Sequence, residues 1–141
     1  MIKETFNIAP VPASRPRVTR YGTYFPKRYT LFRKQFDELL SNLTYKHNVC
    51  YTERNDGLVS VRLDFYVQIP KSWSKKKTKE MEGKYCSNNA DLDNYCKAAL
   101  DGLEGRYYEN DKQVAMIRAR KFFSTNARIE FSITHIEEAH E

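Results

Sequence analysis

Residues 59–69 read Val-Ser-Val-Arg-Leu-Asp-Phe-Tyr-Val-Gln-Ile, and this stretch decides the fold. Apolar side chains recur at every second position from Val59 to Ile69, while Arg62 and Asp64 lie between them. Successive side chains of a strand point to opposite faces of a sheet, so this spacing predicts a strand with one buried face. A sheet of this kind needs other elements packed over its apolar face.

Two amphipathic helices are predicted, one on each side of this strand in the sequence. Pro26 is typical of the first turn of a helix, and apolar residues follow it at spacings of three and four for about five turns, ending near residues 46–48. A second helix begins around Asp91–Asp93 and ends near Gly105. Its predicted apolar face is Leu92, Tyr95, Cys96, Ala99, Leu100 and Leu103.

Shorter patterns complete the predicted order of elements. The other predicted strands are residues 2–8, 114–122 and 127–133, with a hairpin turn at 124–126 between the last two. Residues 70–90 lack periodicity and are predicted to form a long, flexible basic loop, and the polar tail 137–141 is expected to fray. The chain is therefore expected to form one α+β domain over residues 1–141, with a mixed sheet packed against two main helices.

The composition is that of a soluble globular protein. With 141 residues, of which 40% are hydrophobic, the chain can bury one core. It has no apolar run near the roughly 18–20 residues that span a membrane, and no signal-peptide pattern at its start. We therefore expect a cytoplasmic protein without a membrane partner. The three cysteines are odd in number and lack a CxxC spacing, which favours free thiols over a structural zinc site.

Basic residues are concentrated in two segments of this chain, whose net charge is +6. Residues 14–34 contain no acid and have aromatic side chains among the basic ones, and residues 71–84 carry six lysines against two glutamates. Such segments can hold phosphates and stack on exposed bases, although a solvated basic face over core aromatics is the alternative. Trp73 either anchors its loop or contacts DNA. The candidate DNA-binding residues are Arg15, Arg17, Arg20, Lys71, Lys75, Lys76 and Lys77.

Acidic residues are concentrated between positions 91 and 111, where six acids stand against two basic residues. Such a cluster repels itself unless a divalent cation, a lysine or both lie within it. Asp91, placed just before the helix, is free to turn toward Asp93, and Lys97 lies one turn beyond Asp93. Asp111 would approach from the next strand and close the site. Since Mg²⁺ takes one or two protein carboxylates together with water and substrate phosphate, the three aspartates are candidate ligands.

The same residues also have a purely local interpretation. Asp91 can cap the helix, and Asp93 can favour the helix macrodipole. Asp93 and Lys97 can form a surface ion pair worth only about 0.3–0.5 kcal/mol. Asp101 continues this stripe and either holds Lys97 or faces solvent. A basic nucleic-acid-binding module without catalysis would need no more than these roles.

Three separated blocks of the chain form a combined pattern. They are Arg15-Pro16-Arg17, then Pro70 to Lys77, and then Asp91-x-Asp93-Asn94-x-x-Lys97 with Leu100-Asp101-x-Leu103 and Asp111-x-Gln113-Val114. Together they resemble the RusA-type Holliday-junction resolvases of bacteria and their phages, in the same order and at similar separations. One departure is Asn110, which stands where the family often has the first of two consecutive acids.

The resemblance implies a homodimeric endodeoxyribonuclease that resolves Holliday junctions by paired cuts in opposed strands. It implies Asp91, Asp93 and Asp111 as ligands of Mg²⁺, with Mn²⁺ as a substitute ion, and no small-molecule cofactor. The ion would activate a water for in-line attack that leaves a 5′-phosphate and a 3′-hydroxyl. Lys97, the essential basic residue, would orient that water or neutralise charge on the phosphate. Flaps and forks stay open as alternative substrates, because branch recognition depends on the shape of the dimer.

Overall fold

The computed structural model of the chain describes residues 1–47 and 57–136 as one α+β domain. The strands are β1 (Ile2–Phe6), β2 (Arg17–Thr19), β3 (Gly22–Tyr24), β4 (Val59–Gln68), β5 (Val114–Ser124) and β6 (Arg128–His135). The α-helices are α1 (Lys27–His47), α2 (Lys75–Met81) and α3 (Leu92–Leu103), and a 3₁₀ turn at Asp111–Gln113 precedes β5. The α+β class and the mixed sheet predicted from the sequence are confirmed.

Strand β4 lies inside a four-stranded sheet of order β1-β6-β4-β5. It pairs in parallel with β5 and antiparallel with β6, which pairs antiparallel with β1. The alternation predicted for β4 is confirmed, because Val61 and Leu63 are fully buried whereas Arg62 is exposed. The strands β2 and β3 form a separate two-stranded hairpin.

The predicted hairpin between β5 and β6 is wrong. Strand β4 lies between them, so residues 125–127 cross over the end of β4. Neighbouring strands are about 4.8 Å apart, and three residues can span the roughly 10 Å that this crossing requires. The physical reason is the burial of β4, whose backbone groups are all satisfied only if it pairs along both edges.

Helices α1 and α3 confirm the two predicted helices and pack on one face of the sheet. Phe36 of α1 meets Phe6 of β1 edge to face at 5.3 Å, and Tyr95 of α3 stacks on Phe65 of β4 at 5.5 Å between ring centroids. The two helices approach closely at Gly102, where a Cβ atom would lie 2.5 Å from the ring of Phe36. This packing fixes which residues of α3 face solvent.

Residues 70–90 contain the short helix α2, where the sequence pattern predicted a loop. Ser74 caps the helix, and its hydroxyl accepts the N–H of Lys77 at 3.1 Å. A helix of seven residues is too short to show an amphipathic period, so the pattern could not reveal it. Trp73 packs on Phe123 with ring centroids 5.1 Å apart. Of its two predicted roles, the structure shows the anchor.

Cys86 and Cys96 are free thiols, as predicted. Cys50 and the tail 137–141 lie outside the described residues. Within residues 1–47 and 57–136, no helix is long and apolar enough to cross a membrane.

Candidate active site

The N-terminal end of α3 presents two exposed aspartates. Asp91 has an extended backbone, with φ −75° and ψ 136°, and its side chain makes no capping hydrogen bond to the helix. The carboxylate of Asp93 accepts the N–H of Asn94 at 3.0 Å. Asp91 therefore occupies the N-cap position, as the local interpretation predicts, but its carboxylate does not serve as the capping acceptor. Its carboxylate stands at the end of the helix that favours negative charge.

Lys97 lines a cavity of about 800 Å³ between α3, α1 and the extended segment before β2. Arg15, Asp101 and Glu104 line the same cavity. The N–H of Ala13 donates to the carbonyl oxygen of Asn94 at 2.8 Å, which fixes the segment that carries Arg15 beside α3. The structure thus brings two blocks of the sequence pattern together, although they are about 80 residues apart in the chain.

The predicted ion pair between Asp93 and Lys97 is absent. Among the described residues, Lys97 makes no salt bridge within 4 Å and no hydrogen bond through its ammonium group. Its side chain is exposed in the cavity. The ammonium group is therefore available to a ligand from outside the chain.

Asp111 lies at the opposite end of α3. Its N–H donates to Oε1 of Glu104, the C-cap residue directly after the helix, at 3.2 Å. Tyr108 is buried here and donates its hydroxyl to the carbonyl oxygen of Leu100. Burial raises the pKa of Tyr108, and the nearby carboxylates of Glu104, Asp111 and Asp101 raise it further. Tyr108 therefore stays protonated among these acids.

Asp111 does not meet Asp91 and Asp93 within one chain. The 12 residues of α3 separate its ends by about 18 Å at about 1.5 Å per residue. Strand β5 gives an independent measure of the distance between Asp111 and Asp91. Asp111 lies just before the first residue of β5, whereas Lys121, further along this strand, contacts Ala90 next to Asp91. Residues 114 to 121 of a strand span about 23 Å.

The metal-ligand geometry of the described residues agrees with this separation. No group of three or more His, Cys, Asp or Glu side chains among them lies close enough together to hold a metal ion. The closed site that the sequence led us to expect is therefore not assembled by a single chain. The candidate acids instead form two separate exposed groups, named half-sites below: Asp91 with Asp93 at one end of α3, and Asp111 at the other.

The chemistry of these half-sites nevertheless suits a divalent cation. All three aspartates are exposed. Apart from the bond that Asp93 accepts from Asn94, their carboxylates have no hydrogen-bonded or ionic partner in the part of the chain that the structure describes. Mg²⁺ takes one or two protein carboxylates and fills its other positions with water and substrate phosphate. The donors therefore fit such an ion, but they do not converge on one within the chain.

Buried Gln113 holds the 3₁₀ turn that carries Asp111. Its Oε1 accepts the N–H groups of Glu109 at 2.8 Å and of Asn110 at 3.0 Å, and its Nε2 donates to the carbonyl oxygen of Gly57 at 2.8 Å. The side chain of Asn110 caps the same turn in return. Asn110 therefore has a structural role in this chain. In the sequence, the signal was the spacing of three between Asn110 and Gln113, which is that of a capping box.

The candidate DNA-binding residues are all exposed and lie in two regions, residues 15–20 around β2 and residues 71–77 around the start of α2. Arg17 is on β2, and Arg20 is in the turn between β2 and β3 next to Tyr21, which is 85% exposed. The guanidinium group of Arg20 lies 4.9 Å from the centre of the Tyr21 ring. The lysines lie before α2 and in its first turn: Lys71, Lys75, Lys76 and Lys77.

Comparison with known proteins identifies the family of this fold and site. A family model described as Endodeoxyribonuclease RusA matches residues 7–134. The chain belongs to the RusA endodeoxyribonuclease family. Members of this family cut DNA, act on branched junctions and generally depend on a metal, so this chain is an endodeoxyribonuclease. A relative from Bacillus subtilis (strain 168), named "Uncharacterized protein YqaN", is 30% identical over 139 residues, or 96% of each chain.

Proposed function

We propose that this protein is a homodimeric, Mg²⁺-dependent endonuclease that resolves four-way DNA junctions by paired cuts in opposed strands. Membership of the RusA family supports the substrate class. The observation that carries the rest is the split of the family's acidic pattern into two exposed half-sites at the ends of α3.

The separation of Asp111 from Asp91 and Asp93 supports a dimer in which each site takes acids from both protomers. In a two-fold dimer, any contact from one protomer to the other is repeated in reverse. Asp111 of a second protomer can therefore stand beside Asp91 and Asp93 of the first, and the second site follows by symmetry. Two equivalent sites match the two opposed strands that must be cut.

In this arrangement, Asp91 and Asp93 would hold the ion together with Asp111 of the other protomer. When bound, the ion supplies an activated water and polarises the scissile phosphate, for a cut that leaves a 5′-phosphate and a 3′-hydroxyl. Lys97 shares its cavity with Arg15, which favours the role of neutralising charge on the phosphate over that of orienting the water. The exposed ammonium group and guanidinium group would hold the DNA strand against α3.

The charge of α2 supports a DNA contact outside the site. Lys75, Lys76 and Lys77 occupy its first turn, which contains no acid. Cations at the N-terminal end of a helix oppose the macrodipole, so these lysines weaken their own helix. A phosphate backbone supplies the missing negative charge. The hairpin residues Arg17 and Arg20 would supply a second set of phosphate contacts, and the exposed ring of Tyr21 would be free to stack on a base.

The test is cleavage of a synthetic four-way junction beside a linear duplex, a fork and a flap of the same sequence. We expect symmetric paired cuts in the four-way junction with Mg²⁺ and no cuts after chelation of the metal. Preferential cutting of forks or flaps would keep the nuclease and replace its substrate. Binding without cleavage at any concentration of Mg²⁺ or Mn²⁺ would contradict the proposal and favour a basic binding module.

A further inference from the structure

Lys121 of β5 reaches across to the segment that leads into α3. It pairs in register with Phe65 of β4 and lies on the same side of the sheet as α3. Its Nζ donates to the carbonyl oxygen of Ala90 at 2.7 Å, to Oδ1 of Asn88 at 2.8 Å and to the carbonyl oxygen of Asn88 at 3.3 Å. The three donors of the ammonium group thus meet three acceptors, and all of them are uncharged.

These bonds fix an irregular piece of chain directly before Asp91. Residues 86–91 belong to no helix or strand. The backbone of Lys121 also holds this segment, since its carbonyl oxygen accepts the N–H of Cys86 at 2.9 Å. Asn88 extends the network to α3, because its Nδ2 donates to the hydroxyl of buried Tyr95 at 2.9 Å. One side chain therefore connects the sheet, the segment before α3 and the helix.

We propose that Lys121 is a positioning residue that sets the direction of Asp91 for a divalent cation. The inference rests on the proposed function, which assigns Asp91 to that ion. The side chain of Asp91 makes no capping bond, so the direction of its carboxylate depends on the backbone on each side. Lys121 binds the carbonyl oxygen of Ala90, the residue directly before Asp91, and leaves the carboxylate of Asp91 free.

A direct contact of Lys121 with substrate does not fit its surroundings. Its ammonium group is half-buried and all of its donors are used within the chain. Lys97, by contrast, is exposed in the cavity. The two lysines near the N-terminal end of α3 therefore have separate tasks: Lys97 meets the phosphate, and Lys121 orients a ligand of the ion. Side chains that orient metal ligands typically change metal affinity or activity by about 10- to 100-fold when they are removed.

The experiment compares Lys121→Met with Lys121→Arg and with Arg120→Met as a matched control. Arg120 lies next to Lys121 on β5 but bonds to Asp64 through two contacts of 2.9 Å on the sheet face away from α3. Cleavage of the four-way junction gives kcat, KM and the Mg²⁺ concentration for half-maximal activity. Two further measurements use the protein without DNA: Mn²⁺ affinity by electron paramagnetic resonance, and amide hydrogen exchange over residues 88–93.

For Lys121→Met we expect a Mg²⁺ requirement and a Mn²⁺ dissociation constant raised by about 10-fold or more. We also expect lower kcat, KM within about twofold of wild type, and faster exchange over residues 88–93. Lys121→Arg should recover part of the loss, since it keeps the charge and several donors. Arg120→Met should lower the melting temperature without raising the metal requirement. If Lys121→Met does not fold, Asn88→Ala removes one acceptor of the same network and should shift both metal readouts in the same direction.

A lower melting temperature for Lys121→Met or Asn88→Ala, with metal requirement and Mn²⁺ affinity unchanged, would overturn the inference and leave a structural role. A wild-type protein that does not cut the junction would contradict the proposed function instead. In that case Mn²⁺ affinity and hydrogen exchange would still decide the role of Lys121.

Discussion

The two ends of α3 carry the same kind of side chain but are held in different ways. At the N-terminal end, the ammonium group of Lys121 binds backbone oxygens in the segment before Asp91. At the C-terminal end, the side chains of Glu104 and Gln113 accept backbone N–H groups around Asp111. At both ends the backbone is held and the carboxylate is left exposed. In both half-sites the backbone beside an exposed acid is therefore held by side chains from other parts of the fold.

Two acids elsewhere in the described residues, Asp64 and Asp37, differ from those of the half-sites. Asp64 accepts two hydrogen bonds from Arg120, and Asp37 forms an ion pair with Arg106. Their negative charge is neutralised within the protein, as expected of acids with structural roles. Asp91 and Asp111 are exposed and have no such partner among the described residues, so their carboxylates are open to a ligand from outside the chain.

The largest effect is expected from removing the charge of either half-site. Asp91→Asn, Asp93→Asn and Asp111→Asn should each reduce junction cleavage below detection, because each removes a carboxylate from the ion. Junction binding without metal should stay within about threefold of wild type, since it depends on the basic segments. Asp64→Asn is the matched control, which should lose stability and keep cleavage. Normal turnover by any of the three variants would remove that residue from the site.

The second prediction tests whether exposed Lys97 takes part in cleavage. Lys97→Ala should lose most of the cleavage with a smaller effect on binding, because an exposed cation beside Arg15 would no longer neutralise the phosphate. An exposed lysine without a role in the reaction would contribute nothing to activity, and its removal would change stability by under about 1 kcal/mol. Cleavage rate and thermal unfolding, measured on the same preparation, distinguish these outcomes. Unchanged cleavage would assign Lys97 to the surface.

The third prediction tests the support of the C-terminal half-site. Gln113→Ala leaves two N–H groups and one carbonyl oxygen without their partner, and water replaces part of the loss because Glu109 and Asn110 are exposed. We expect lower thermal stability together with a kcat reduced by about 10- to 100-fold, as for other groups that orient ligands. Stability and kcat should be measured well below the unfolding transition. A variant that is destabilised yet retains full kcat would show that Asp111 needs no such support.

The smallest effect is expected at α2. Replacing Lys75, Lys76 and Lys77 by Gln should weaken binding to four-way and linear DNA by similar factors, because phosphate contacts carry no information about branching. The salt dependence of binding should decrease, with the logarithmic slope changing by about 0.9 for each phosphate that the variant no longer neutralises. Titrations at several salt concentrations provide the measurement. A weakening confined to the four-way junction would instead make α2 a branch-recognition element.

Local patterns in the sequence predicted the parts of the fold that depend on local periodicity. The alternation of β4 and the apolar stripes of α1 and α3 can be recognised from residues two to four positions apart in the sequence. Helix α2 was missed because seven residues show no period. The order of the strands was missed because the adjacency of β5 and β6 in the chain does not reveal that β4 lies between them.

The candidate site likewise has a part that local sequence spacing predicted and a part that depends on tertiary packing. The spacing of Asp91 and Asp93 placed both at one end of a helix, and the structure agrees. The position of Asp111 depends on the path from Glu104 through Tyr108 and on the bonds of Gln113, which are set by tertiary packing. The contact of Lys121 with Ala90 joins residues 31 positions apart, and in the sequence Lys121 is one of several basic residues in a strand.

In the proposed dimer each active site takes acids from two protomers, and a purified mixed dimer tests this arrangement most directly. One protomer carries Asp91→Asn and the other carries Asp111→Asn, with different tags for separation. In a shared arrangement, one site receives both substitutions and the other receives none, so the mixed dimer should nick four-way junctions from its single intact site. A mixed dimer of Asp91→Asn with Asp93→Asn is the control and should be inactive, because each of its sites has lost an acid. An inactive Asp91→Asn/Asp111→Asn dimer that still binds the junction would contradict the shared site and place all three acids within one chain.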